Sequence, residues 1–184
     1  MKRLPLITIL FLSTFFIMGS CKKDKVSGTP DSTDIPDLVF SGSVKKNGGL
    51  EKDISFTIPA QQPVTDYTIV SSHTSASKLM VISIQEVSKW VIGLNIDDVT
   101  SIKTDTYDLV GAIPSGYNDM ISGEGGLATA GSLQLTKVDL FTGVTGVDIY
   151  YVNGNFTMTV EDYETPPNTY EIEGTFTGVN MTSN

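Results

Sequence analysis

The chain contains one Cys, one His and one Trp, so few residues are available for nucleophilic or metal chemistry. Nucleophilic triads need a histidine beside the nucleophile, and structural zinc sites need several thiolates or imidazoles. His73 lies in a polar run, Ser-Ser-His-Thr-Ser, between two strand-like segments, and no second His accompanies it. We therefore predict that His73 is a surface loop residue, and that the protein uses neither a metal nor a cofactor.

Carboxylates are the one abundant reactive group, with 21 Asp and Glu residues. A glycoside hydrolase needs two carboxyls across a cleft, one of them with a raised pKa. Glu124, Glu161 and Asp162 are the candidates for such a pair. Calcium prefers oxygen ligands from loops, and four aspartates surround one predicted turn: Asp97, Asp98, Asp105 and Asp108. No Asp-x-Asp-x-Asp-Gly loop is present, and solvated acidic faces are the simpler interpretation, so no catalytic residue is assigned.

Tyrosines in polar surroundings are the remaining candidates for ligand binding. Tyr117 is predicted to be exposed in a Gly-Tyr-Asn-Asp loop, Tyr163 lies in an acidic turn, and Tyr150 is predicted on the polar side of its strand. Carbohydrate recognition combines a flat aromatic face for the sugar ring with polar groups for its hydroxyls. The three tyrosines are therefore predicted as ligand-binding residues, whereas Trp90 lies on an apolar strand row and is predicted to be in the core.

The formal charge of −9 excludes a dedicated nucleic-acid binder, because such a protein needs a basic surface for the phosphates. Removal of residues 1–20 would take away Lys2 and Arg3 and no acidic residue. The remaining chain would carry 10 basic and 21 acidic residues, a formal charge of −11. Such an acidic domain repels an anionic membrane surface, which suits a domain held away from the bilayer.

The N-terminal residues have the three-part layout of a secretory signal peptide. Lys2 and Arg3 are followed by an uncharged, mainly apolar stretch from Leu4 to Met18, and then by small residues. The apolar stretch is shorter than the roughly 20 residues that a membrane-spanning helix needs. We predict a signal peptide over residues 1–20.

The only cysteine follows that signal directly, in Met18-Gly19-Ser20-Cys21. This segment resembles the lipobox of bacterial lipoproteins, and the following Lys-Lys-Asp resembles the start of mature Bacteroidetes lipoproteins. The resemblance implies that Cys21 carries fatty acyl chains such as palmitate and holds the protein at the outer membrane. Which leaflet the domain faces, surface or periplasmic, stays open.

Residues 21–36 are rich in Ser, Thr, Pro and Gly and have few apolar side chains, so we predict a flexible linker. Asp31-Ser32-Thr33 resembles the short O-glycosylation sequon described for Bacteroidetes, which implies Ser32 as a possible modification site. The alternative is an ordinary polar linker.

Residues 37–184 show hydrophobic alternation of period two in several segments, the pattern of strands with one face on a core. Asn47-Gly48-Gly49 predicts a hairpin turn, and Gly123–Gly126 with Ala128–Gly131 predicts a long loop. The alternation changes phase near Thr136 and Lys137, which predicts a β-bulge. We predict an all-β domain, an antiparallel β-sandwich or flattened barrel of about nine strands.

Two copies of Gly-x-Phe-Thr, at 154–157 and 174–177, predict the two arms of one hairpin. Together with residues 131–139 they resemble the C-terminal half of small Bacteroidetes outer-membrane lipoproteins with a β-rich domain of unknown function. The expected function is a non-enzymatic, lipid-anchored module of the cell envelope that binds a glycan or a protein, or has a structural role. Two alternatives stay open: a glycan-acting hydrolase with paired carboxylates, and a lipocalin-like carrier of a small apolar ligand.

Overall fold

The structure is a computed structural model, and it describes residues 36–59, 66–144 and 146–184. Cys21, Ser32 and the predicted signal peptide lie outside the described residues. The described residues form one compact unit of strands. The strands are β1 (Leu38–Lys46), β2 (Glu51–Asp53), β3 (Phe56–Ile58), β4 (Tyr67–Thr74), β5 (Leu79–Glu86), β6 (Trp90–Ile96), β7 (Thr106–Asp108), β8 (Gly116–Asp119), β9 (Glu124–Val144), β10 (Val147–Glu161) and β11 (Thr169–Ser183).

Seven strands close into a barrel in the order β10-β9-β8-β6-β5-β4-β11, and the pairing of β11 with β10 completes the ring. The predicted all-β class is therefore confirmed, in its barrel form. The described residues contain eleven strands rather than about nine, because short strands such as β7 span too few residues to show alternation. No helix in the described part of the chain is long and apolar enough to cross a membrane.

The last strand, β11, contacts two different neighbours along one edge. Its first part pairs antiparallel with β1, over Tyr170–Thr177, and its last part pairs parallel with β4, over Met181–Ser183. This short parallel contact is the seam that closes the ring. On its other side β1 carries the short strands β2 and β3.

Inward-facing rows of large apolar side chains fill the barrel. Trp90 is 2% exposed, which confirms its predicted place in the core. The ring centre of Phe40 lies 6.2 Å from that of Trp90 and 6.4 Å from that of Phe156, and the rings of Phe40 and Phe156 are stacked. Each large apolar side chain buried in this way stabilises the fold by about 1.5–3 kcal/mol.

The long β9–β10–β11 meander confirms two predictions and corrects a third. Lys137 pairs with Asn153, and Leu135 pairs with Gly154, so the intervening Thr136 is an unpaired bulge residue as predicted. The two Gly-x-Phe-Thr segments pair across the β10–β11 hairpin. The predicted loop over Gly123–Gly131 is wrong, because β9 runs through most of it without interruption.

The glycines of β9 look like a loop signal in the sequence. In the structure they permit close packing within the sheet. A Cβ at Gly126 would overlap the carbonyl oxygen of Glu161, and one at Gly131 would lie 2.6 Å from the carbonyl oxygen of Thr157. Glycine within a strand permits such a close approach of a neighbouring backbone.

The strand directions define two ends of the barrel. The upper end carries four turns: residues 47–50, 87–89, 120–123 and 162–168. The seam end carries the β4–β5 turn at 75–78 and the last residues of β11, where β4 and β11 pair. β1 runs from its first residue, Leu38, to the upper end over about 27 Å at the usual rise per residue.

Candidate functional site

The three tyrosines predicted to bind a ligand do not form one cluster. Tyr163 is 81% exposed in the β10–β11 loop at the upper end. Tyr117 is 4% exposed and inside the barrel. Tyr150 lies near the start of β10, whereas Tyr163 follows the end of the same strand. The structure therefore leaves Tyr163 as the exposed ring of the three.

Tyr117 corrects the expectation of an exposed loop residue. It belongs to β8, its side chain points inward, and its ring lies 6.0 Å from the ring of Tyr170. Burial raises the pKa of the Tyr117 hydroxyl, and the Asp119 carboxylate adds to the effect. The turn-like Gly-Tyr-Asn-Asp segment is a strand because it pairs with β6, where Tyr117 lies opposite Ile92 and Asn118 lies opposite Val91.

Tyr150 also differs from its prediction, since it is half-buried and packs against the core. The pairing of β10 with β9 shifts by one residue between Ile149 and Tyr150. The extra residue of that shift lies on β9, so β10 keeps its alternation, and Tyr150 falls on the buried row of Val152 rather than on the polar side. Its hydroxyl lies 3.4 Å from the carboxylate of Asp148.

The loop that carries Tyr163 is held by the carboxylate of the preceding residue. Asp162 Oδ1 accepts hydrogen bonds from the backbone amides of Glu164 at 3.1 Å and Asn168 at 2.8 Å, and Oδ2 accepts one from Asn168 Nδ2 at 2.6 Å. These bonds, that of the Asn168 side chain foremost, lower the pKa of Asp162. A carboxylate with this many donors stays ionised and organises the turn.

A second hairpin holds the same loop from outside. Asn47 Nδ2 donates to Asn168 Oδ1 at 2.9 Å, and Asn47 Oδ1 accepts from the amide of Thr169 at 2.8 Å. Asn47 occupies the left-handed region, with φ of 49°, as the predicted Asn-Gly turn requires. The exposed Tyr163 therefore lies on a preorganised loop.

Tyr163 separates two open clefts. One, of about 450 Å³, lies between its ring and the β8–β9 hairpin and includes Asn118 and Leu127. The other, of about 650 Å³, extends over Lys46, Glu164 and Pro166. Glu124 lines both clefts, as do the neighbouring glycines.

Ion pairs join the β1–β2 hairpin to the β8–β9 hairpin beside these clefts. Lys46 Nζ lies 2.6 Å from Glu124 Oε1 and 5.6 Å from the centre of the Tyr170 ring. The hydrogen bond to Glu124 raises the pKa of Lys46. Lys52 pairs with Asp119 at 2.9 Å. Both hairpins are thus fixed relative to Tyr163.

The hydrolase candidates have structural partners. Glu124 pairs with Lys46, and Asp162 caps its own loop, while Glu161 ends β10 half-buried. In residues 36–59, 66–144 and 146–184, every carboxyl pKa that the surroundings displace is lowered. A general acid needs the opposite displacement. The carboxyls with lowered pKa values are Asp53, Glu86, Asp105, Asp119 and Asp162.

The four aspartates considered for calcium do not converge. Asp97 accepts a hydrogen bond from the amide of Ile113, Asp105 pairs with Lys103, and Asp108 accepts from the amide of Val110. In residues 36–59, 66–144 and 146–184, no group of three or more His, Cys, Asp or Glu side chains could hold a metal ion.

His73 is buried in β4, at 2% exposure, so its prediction as a surface loop residue is wrong. Its Nε2 lies 2.8 Å from the carbonyl oxygen of Val99, and its Nδ1 lies 2.8 Å from Ser183 Oγ. A carbonyl oxygen only accepts, so Nε2 donates to Val99, while Nδ1 shares its hydrogen bond with the Ser183 hydroxyl. His73 is therefore a fully bonded residue of the barrel seam.

A further open groove lies on the outer face of β1, β11 and β10. It is lined mainly by hydroxyls and carboxylates, among them Ser43, Thr157, Glu171 and Glu173. No aromatic ring of the described residues lines this groove, so these residues offer no flat apolar face for a sugar. The clefts beside Tyr163 combine such a face with polar side chains.

Sequence reasoning missed Lys46, Asn47, Asn118 and Asn168 as parts of the site. Asn47 was recognisable only as a turn residue, because its partners in the β10–β11 loop lie more than 120 positions away. No protein-family model, no curated protein and no solved structure matches the chain. The site therefore has to be interpreted from its own geometry.

Proposed function

We propose that the protein is a non-catalytic binding domain of the cell envelope, tethered to the outer membrane through a lipid on Cys21, that binds a glycan at the upper end of the barrel. The observation that carries the proposal is the 81% exposed ring of Tyr163, placed between two clefts on a preorganised loop.

An exposed aromatic ring contributes little to the core, and its position on a well-bonded loop supports a role in binding. A pyranose ring packs its apolar face on such a ring, while its hydroxyls need nearby donors and acceptors. Asn118, Glu124 and Glu164 line the clefts and supply these groups. Because hydrogen bonds from Asp162 and Asn47 already hold the loop, little ordering entropy opposes binding.

The electrostatics favour binding over hydrolysis. Asp162 and Asp119 have lowered pKa values and are occupied as turn acceptors, and Glu124 is paired with Lys46. Large apolar side chains fill the interior of the barrel, which favours a ligand site on the surface. The clefts beside Tyr163 open to solvent and offer such a site. We therefore prefer a surface lectin-like role to both alternatives.

The direction of β1 is compatible with a tether at Cys21. The strand begins at Leu38 and runs about 27 Å toward the upper end. The acidic charge of the chain would oppose its lying on anionic lipids.

The tether is tested by substitution of the single thiol. Cys21→Ala should abolish fatty-acid labelling and release the protein from the membrane pellet, whereas Ser20→Ala should retain both. If Cys21→Ala still pellets with the envelope, the tether is not a lipid on this residue.

Binding is tested with the full-length chain in detergent on an array of neutral, amine-bearing and anionic glycans. Tyr163→Ala should weaken binding of a captured glycan about tenfold or more, and Tyr163→Phe should retain most of it, because the ring face makes the contact. Unfolding free energy should change by less than about 0.5 kcal/mol.

Leu50→Ala is the matched control, since Leu50 is 97% exposed at the same end and does not line either cleft. It should leave binding unchanged. Equal binding by wild type and Tyr163→Ala, or no bound glycan in the whole array, would overturn the proposed function.

A further inference from the structure

We propose that the clefts beside Tyr163 select glycans with free, protonated amino groups over their neutral and anionic counterparts. This inference rests on the proposed glycan-binding function and specifies its ligand class. The geometry that carries it is an exposed aromatic ring that lines both clefts together with Glu124, the further carboxylates of Asp162 and Glu164 in the second cleft, and a cation that is already paired.

The charged side chains that line the two clefts are unequal in number and in availability. Among the described residues, Lys46 is the one cation in their lining, against the carboxylates of Glu124, Asp162 and Glu164. The Lys46 ammonium lies 2.6 Å from Glu124 and over the Tyr170 ring, so it has little capacity left for an incoming anion. An anionic sugar would therefore meet uncompensated negative charge.

The carboxylates also differ in what they can offer a ligand. Those of Asp162 and Glu124 have partners within the protein. Glu164 is exposed, and in the described part of the chain its side chain takes part in no ion pair. It therefore remains available to an ammonium group of a ligand that contacts the neighbouring ring of Tyr163.

The ring of Tyr163 adds to this selectivity. An ammonium group is attracted to the negative face of an aromatic ring, and the attraction is strengthened where an anion is close by. Packing of an apolar sugar face on the same ring is indifferent to charge. A sugar that carries a protonated amine gains both contributions, whereas its N-acetylated form gains only the packing on the ring.

The test uses the full-length chain and three oligosaccharides of equal length, built from glucosamine, N-acetylglucosamine and glucuronic acid. At mildly acidic pH, where the sugar amine is protonated, the glucosamine oligomer should bind about tenfold tighter than the acetylated one by titration calorimetry. The glucuronic acid oligomer should bind most weakly. Added salt should reduce the preference, because the charges are solvent-exposed.

Glu164→Gln should remove most of the preference for the amine while leaving the affinity for the N-acetylglucosamine oligomer within about twofold. Glu171→Gln, an exposed acid on the outer face of β11 outside both clefts, is the matched control and should change neither affinity. The two variants remove the same charge from the molecule, so they separate a local effect from net charge.

Each outcome bears on a different claim. Equal affinities for the glucosamine and N-acetylglucosamine oligomers, or tighter binding of glucuronic acid, overturn the selectivity and leave glycan binding intact. A lysine oligopeptide that binds as tightly as the glucosamine oligomer overturns selection of a sugar. If none of the three oligosaccharides binds and the wider array is also empty, the proposed function fails as well.

Discussion

At the seam end of the barrel, His73 is buried, and both of its ring nitrogens have partners within the chain. At the upper end, Tyr163 is 81% exposed on a loop whose polar groups bond to each other beneath it. Both are ring side chains in polar segments. The comparison shows that a polar or aromatic residue is informative about function when the fold holds it rigidly but leaves its surface uncovered.

The seam end explains why its polar groups are turned inward. β4 and β11 pair there over only Ser71–His73 and Met181–Ser183. Ser71 Oγ donates to the carbonyl oxygen of Asn180, and His73 bonds to Ser183, so side chains reinforce a short backbone ladder. These residues close the ring and have no capacity left for a ligand.

The largest expected effect is at this seam. His73→Ala removes one buried and one partly buried hydrogen bond and leaves a cavity, so it should lower the unfolding free energy by about 2–4 kcal/mol. Urea denaturation at neutral pH measures the change. Glycan binding by the folded fraction should be unaffected, because Tyr163 lies at the opposite end.

Ser75→Ala is a suitable control, since Ser75 lies exposed in the adjacent β4–β5 turn and its backbone, rather than its side chain, bonds to Asn184. Its effect should stay within about 0.5 kcal/mol. A His73→Ala variant as stable as Ser75→Ala would remove the structural role of His73. If His73→Ala lost glycan binding but kept its stability, the roles assigned to the two ends of the barrel would be reversed.

Much of the fold is predictable from local sequence. Alternation places Ile92 and Leu94 in the core, the Asn47-Gly48 pair makes its hairpin, and the change of phase at Thr136 marks a bulge. These signals involve neighbours in sequence or the period of one strand. They are therefore present in the chain before any tertiary contact is known.

The errors come from contacts between distant residues. The polar run around His73 resembles a loop, and only its bonds to Val99 and Ser183 make it an inner seam. The glycines of β9 resemble turn residues, yet the backbone near Gly126 and Gly131 is crowded by β10. A glycine that permits close packing has the same identity as one that permits a turn.

The candidate site was predictable only in part, for the same reason. Tyr163 was expected in an acidic turn, and the structure places it exposed in the β10–β11 loop. Its supports come from other hairpins, including Asn47 and the Lys46–Glu124 pair. Single-sequence patterns contain no information about which hairpins meet at one end of a barrel.

A smaller effect on the unfolding free energy is expected from substitution of Glu86. This substitution tests whether the polar groups of the upper end include some that only stabilise the fold. Glu86 is buried beside the β5–β6 turn and accepts hydrogen bonds from Lys89 Nζ and, at 3.1 Å, from Trp90 Nε1. The hydrogen bond from Lys89 is the main cause of its lowered pKa, and burial opposes the shift. It is thus a structural residue at the upper end.

The lowered pKa fixes the sign of the pH dependence. A carboxyl whose pKa is lower in the folded state contributes stability that is complete above its unfolded pKa, close to 4.5. That contribution is lost as the pH falls through the folded pKa.

Glu86→Gln keeps an oxygen acceptor for Trp90 and cannot titrate, so it should lower the unfolding free energy by at most about 1 kcal/mol at neutral pH. In urea denaturation at a series of pH values, the curves of wild type and variant should converge under acidic conditions, while glycan binding stays unchanged. A difference that grows on acidification would contradict the assigned role of Glu86, and a loss of binding would extend the ligand site beyond Tyr163 to the β5–β6 turn.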